Sequence, residues 1–82
     1  MKTTQPPITN DQELAGYRAG AAKLEVLINR HEDDLMRERQ QAQPDARHIN
    51  RIRYTLARLY GYHKGILDAI EAYIRQQHQQ TA

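Results

Sequence analysis

The sequence predicts an all-α fold, an antiparallel two-helix hairpin of coiled-coil character that dimerises into a four-helix bundle. Three observations lead there. Two long segments free of proline each repeat apolar residues at alternating steps of three and four. A single proline-centred break, Gln43-Pro44-Asp45, separates them. One flank of the second segment also carries apolar residues that a lone hairpin would leave in water.

Pro6 and Pro7 keep residues 1–9 out of helix, as a flexible N-terminal tail. Thr9-Asn10-Asp11-Gln12-Glu13 then offers overlapping capping boxes, Asn10 with Glu13 or Thr9 with Gln12. Helix one is expected over about 10–41, with Leu14, Tyr17, Ala21, Leu24, Ile28, His31 and Leu35 at the a and d positions of a heptad. Pro44 disfavours helix at the residue before it, and Asp45 can cap a new helix. Helix two is expected over about 45–77, its seam formed by Ile49, Ile52, Leu56, Leu59, His63, Ile66, Ile70 and Tyr73. Residues 10–78 make one domain, and 79–82 fray because they hold nothing to bury.

Two antiparallel helices joined by a short loop pair residues whose numbers sum to a constant. A loop centred between Gln43 and Pro44 sets that sum at 87, and every a position then meets a d position: Leu35 with Ile52, Ile28 with Leu59, Leu14 with Tyr73. A single kinked helix exchanging its halves with a second chain satisfies the same pattern and stands as the alternative.

What the seam leaves over predicts a partner. Tyr60, Leu67 and Ile74 recur every seven residues at the e position of helix two, beside Arg18 and Glu25 on helix one, and Leu27 and Tyr62 are surplus on the other flank. Covering such side chains is worth about 1.5–3 kcal/mol each. A chain of 82 residues without cysteine has little stability to spare, since a domain this small buries only roughly 60% of its unfolded surface. A second copy, giving a homodimer, is the expected cover; a different protein is the alternative.

The four glycines all fall inside the helices, in the repeated pattern Gly16-Tyr17-Arg18-Ala19-Gly20 and Gly61-Tyr62-His63-Lys64-Gly65. Each costs up to about 1 kcal/mol relative to alanine. Bundle packing is the plain reason for them; the sharper one is that Gly61 and Gly65, with Tyr54 and Arg58, form a docking strip for a partner.

Charge is nearly balanced, with Lys+Arg 12, Asp+Glu 10 and a net +2. Nine of the twelve cations are arginine, the residue suited to bidentate contact with carboxylate or phosphate. No acidic residue occurs from Ala46 to Leu67, while Arg47, Arg51, Arg53, Arg58 and Lys64 do. The hairpin register sets Arg53 against Glu32, so Arg53 is assigned to an intramolecular salt bridge. Arg47, Arg51 and Arg58 remain on one face with Tyr54, a basic and aromatic strip able to contact nucleic acid. A solvated face or an acidic protein partner accounts for the same residues.

Catalytic patterns are missing from the sequence. It has no cysteine and no serine, no glycine loop followed by Lys-Ser or Lys-Thr, no paired-histidine zinc helix and no Glu-x-x-His. Asp45-x-x-His48 comes nearest, and a helix cap explains it. His31 and His63 fall on the seam opposite Leu56 and Leu24, where protonation is expected to loosen the helices. No apolar run approaches 18 residues, and the first residues hold no apolar stretch of the secretory kind.

The expectation is a cytoplasmic, non-catalytic interaction module: a small helical adaptor, regulator or inhibitor of the sort a phage or mobile element encodes. It would bind a macromolecular partner and no small-molecule substrate, cofactor, metal or membrane. The alternative function is a nucleic-acid-binding four-helix bundle working through Arg47, Arg51, Tyr54 and Arg58.

Overall fold

The computed structural model of the chain describes residues 5–80. Two helices account for nearly all of them: α1, Asp11–Arg39, and α2, Ala46–Gln80. At 1.5 Å per residue, their 29 and 35 residues reach about 44 and 52 Å, which sets the long dimension of the 59 × 24 × 18 Å molecule. Both helices are within a few residues of the expected bounds. α1 ends two residues earlier, and α2 runs three residues further, through Gln79 and Gln80. Residues 81–82 of the expected frayed end lie outside the described residues.

Local chemistry sets each boundary. Asn10, in extended backbone, is the N-cap of α1, its side chain accepting from the Glu13 N–H at 2.8 Å. Glu13 reaches back in turn, its Oε1 accepting the Thr9 N–H at 3.0 Å and the Thr9 hydroxyl as well. Of the two candidate caps the structure therefore uses Asn10, with Glu13 at N3, and the return bond goes to Thr9, one residue before the cap. At the other end Arg37 and Arg39 lie in the last turn, where cations suit the helix dipole.

The loop is held by one carboxylate. Oε1 of Glu38 accepts the Asp45 N–H at 3.1 Å, while its Oε2 lies 3.2 Å from Nδ1 of His48. Asp45 in turn accepts from Arg47 N–H at 3.0 Å and His48 N–H at 3.4 Å, which makes it the cap of α2.

The helices pack against each other along the expected seam. Ile28, Ile52 and Leu56 form a buried core cluster, with Leu35 and Leu59 packed on it; the sum of 87 brings Leu35 to Ile52 and Ile28 to Leu59. Towards the open end the register continues. Gly20 lies against Ile66, whose Cδ1 would be 3.9 Å from an added Cβ, and Tyr73 reaches Asp11. All of these contacts join two helices of one chain, the arrangement of a helical hairpin.

The non-helical N-terminal segment is packed against the hairpin. Ile8 has 4% exposure, lower than Ile28 or Leu56. Pro7 and Ile8 line a groove with Gly65, Ala69, Ala72 and Tyr73, and the carbonyl of Pro6 accepts the Tyr17 hydroxyl at 2.8 Å. Pro6 and Pro7 do prevent helix here. They do not prevent burial, because the small side chains of Gly65, Ala69 and Ala72 leave room for a strand of chain beside α2. Residues 1–4 of the expected tail lie outside the described residues.

Candidate interaction surface

With the seam closed, the e flank of α2 stands open. Tyr60 is 48% exposed and Leu67 44%, and Ile74 next in line is half-buried. Helical spacing explains the row: residues seven apart return to nearly the same face, and the seam positions on either side are already satisfied by α1. Beside Tyr60 the flank dips into an open concavity of about 350 Å³ lined by Glu32, Leu35, Arg53, Leu56, Ala57 and Tyr60. Its floor is apolar, made by Leu35, Leu56 and Ala57. Glu32 and Arg53 share its rim as the register requires, but among the described residues no ion pair joins them. Both side chains are long and reach towards solvent, so water competes with the contact.

The opposite flank carries Leu27 and Tyr62, 39% and 38% exposed. Tyr62 is tied to the residues of the expected docking strip. Its hydroxyl beside the Arg58 guanidinium, reinforced by Tyr54 nearby, holds that guanidinium above its ordinary pKa. Tyr54, Arg58 and Tyr62 thus form a ridge at four-residue spacing on α2. Sequence reasoning placed Tyr62 with Leu27 and missed this link, although the i, i+4 spacing was there to find it. Gly61 lies open beside the ridge, with nothing within 4 Å of an added Cβ. Gly65, the other glycine of the strip, lines the groove that holds Pro7 and Ile8. The two glycines therefore have different surroundings: one faces solvent, the other the chain's own N-terminal segment.

The basic strip is fully on the surface. Arg47, Arg51 and Arg58 are exposed, Tyr54 is 69% exposed, and among the described residues none of these arginines is in an ion pair. Lys64 differs, since Asp68 lies 2.8 Å away at i+4 and holds its ammonium above the ordinary pKa.

The seam histidines each have one partner. Nδ1 of His31 donates to the Leu27 carbonyl one turn back at 2.8 Å, and Nε2 of His63 donates to Oε1 of Glu25 at 3.1 Å. The seam pattern paired His63 with Leu24 and overlooked the carboxylate one residue further along α1.

Among the described residues no group of three or more metal-ligating side chains converges, and no helix is long and apolar enough to cross a membrane. No buried side-chain nitrogen or oxygen among them lacks a hydrogen-bond partner. Comparison of the chain with protein-family models, with curated proteins and with solved structures found no match.

Proposed function

We propose that this chain is a non-catalytic protein-interaction module, a small helical adaptor, regulator or inhibitor that works by presenting the e flank of α2 to another helical surface. The observation that carries the reading is the alignment of Tyr60, Leu67 and Ile74 on one flank beside an apolar-floored concavity. Large apolar side chains in a row, rimmed by charge, are how binding sites differ from singly scattered surface residues. An aromatic beside a dent is also the usual shape of an energetic anchor.

Pull-down from an extract of the source cell tests it, comparing wild type, Leu67→Asp and Arg58→Glu. Loss of the captured partner with Leu67→Asp alone supports the e flank. Capture unaffected by Leu67→Asp overturns it.

A second reading has its own observation. Arg47, Arg51 and Arg58, exposed and without ion pairs among the described residues, stand on the face that carries Tyr54, an arrangement suited to phosphate contact and base stacking. A gel shift with RNA and duplex DNA at rising salt decides it, because phosphate contacts weaken steeply as counterions compete. Arg58→Glu abolishes a real shift, and Leu67→Asp leaves it intact.

A further inference from the structure

The e flank matches itself. For two copies to share a patch, residue i must meet j wherever j meets i, so the patch must be complementary about a central point. Leu67 is such a centre. Tyr60 lies seven residues to one side and Ile74 seven to the other, about 10.5 Å each way. Turning one α2 antiparallel over another, with Leu67 on Leu67 of the second copy, brings each Ile74 over the opposing Tyr60, at the near edge of its concavity. The two side chains are equidistant from the centre, so the contact is made twice.

Charge selects this arrangement over its rival. A two-fold axis along the helices would lay the apolar row of α2 over the e row of α1, which is Arg18, Glu25, Glu32 and Arg39. That would bury charge against Tyr60 and Leu67 without partners. An axis crossing the helices at Leu67 instead lays α2 on α2 and α1 on α1. The hairpin register puts residue 20 of α1 level with Leu67, so the axis falls between Arg18 and Glu25. Each Arg18 then lies about 4.5 Å along the axis from Glu25 of the second copy, within a guanidinium's reach.

We infer that the e flank is the two-fold interface of a homodimer in which two α2 helices cross antiparallel at Leu67, with Ile74 of each copy packed on Tyr60 of the other. This rests on the e flank being the binding surface, and it names the second copy as what covers that surface.

The chain has no cysteine, so single cysteines report the geometry directly. Purified Leu67→Cys, Tyr60→Cys, Ile74→Cys and Val26→Cys are oxidised, singly and as an equal mixture of the Tyr60 and Ile74 variants. Circular dichroism confirms that each is helical. Leu67→Cys alone is expected to cross-link at least about tenfold faster than Val26→Cys, as effective concentration within a complex implies. The mixture should give a disulfide joining position 60 of one copy to position 74 of the other, while Tyr60→Cys alone, about 21 Å from its own copy, should not cross-link. Should Leu67→Cys fail to fold, the mixture reads the same geometry.

Two outcomes overturn the inference. One is a wild-type monomer in sedimentation equilibrium at about 100 µM, well above the micromolar weak end for an interface of this size. The other is a dimer in which Tyr60→Cys cross-links alone, or Val26→Cys as fast as Leu67→Cys. A monomer that still loses its cellular partner through Leu67→Asp would end the homodimer and keep the flank as a site for a different protein. Capture insensitive to Leu67→Asp would end the functional reading itself.

Discussion

The hydroxyl of Tyr73, near the far end of α2, donates a 2.7 Å hydrogen bond to Oδ1 of Asp11, the first residue of α1. It ties the open end of the hairpin as Glu38 ties the loop end. The ring of Tyr73 is buried at 7% exposure, so the contact joins a packed aromatic to a helix start where a carboxylate already suits the dipole. Removing only the hydroxyl, with Tyr73→Phe, should keep the packing and lower the melting temperature at neutral pH.

The same bond has a signature at alkaline pH. Hydrogen bonding to Asp11 raises the Tyr73 pKa, and burial and the negative charges of Asp11 and Glu13 push the same way. A raised folded-state pKa means stability fully present below the ordinary tyrosine value of about 10 and lost as pH rises through the folded value. Wild type should therefore lose more melting temperature than Tyr73→Phe between pH 9 and 11. Equal losses would place the ionisation that matters elsewhere.

Glu13 shows the opposite sign. Its bonds to the Thr9 hydroxyl and N–H lower its pKa, so its contribution is present above the unfolded carboxylate value, about 4.3, and is lost as pH falls through the folded value. Glu13→Gln should melt below wild type at pH 7, and the gap should close by about pH 2–3. Asn10→Ala, which removes the cap from the other side, should cost about 1 kcal/mol at either pH. Melts of the three proteins at both pH values are the check.

Ile8 sits outside every periodic pattern and is nonetheless buried at 4%. Truncating it leaves a void between the N-terminal segment and the α2 groove, so Ile8→Ala should destabilise by about 2 kcal/mol, the low end for such changes because the open groove can partly collapse. Ile28→Ala, in the closed core between the helices, should cost more. Urea unfolding of both variants would sink this ranking if Ile8→Ala proved neutral.

That contrast explains what could be read in advance. The seam was legible because burial between two helices imposes a 3.5-residue period, which Ile28, Ile52, Leu56 and Leu59 keep without exception. The loop was legible because Pro44 and Asp45 act locally. The row Tyr60, Leu67, Ile74 was legible as what the period left over. Ile8 was not, since a segment held by proline has no period, and its burial depends on three small residues some sixty positions away. The Glu25 partner of His63 was missed for a related reason. Heptad letters fix which backbone positions face each other but not where a long carboxylate side chain reaches.

The helical glycines offer a test that separates stability from binding. Nothing lies within 4 Å of a Cβ added at Gly61, and at Gly20 the added atom meets only Ile66 Cδ1 at 3.9 Å, an ordinary contact. Neither position needs glycine for the fold of a single chain, so Gly61→Ala should raise stability by up to about 1 kcal/mol through helix propensity. A residue kept at a cost to the monomer is explained if something packs closely on it. If the ridge of Tyr54, Arg58 and Tyr62 beside Gly61 docks a partner, Gly61→Ala should melt higher and bind more weakly. Calorimetric melts and the pull-down, run on the same preparation, read the two effects separately. A variant that is more stable and binds unchanged would remove Gly61 from any docking surface and leave the e flank to carry recognition alone.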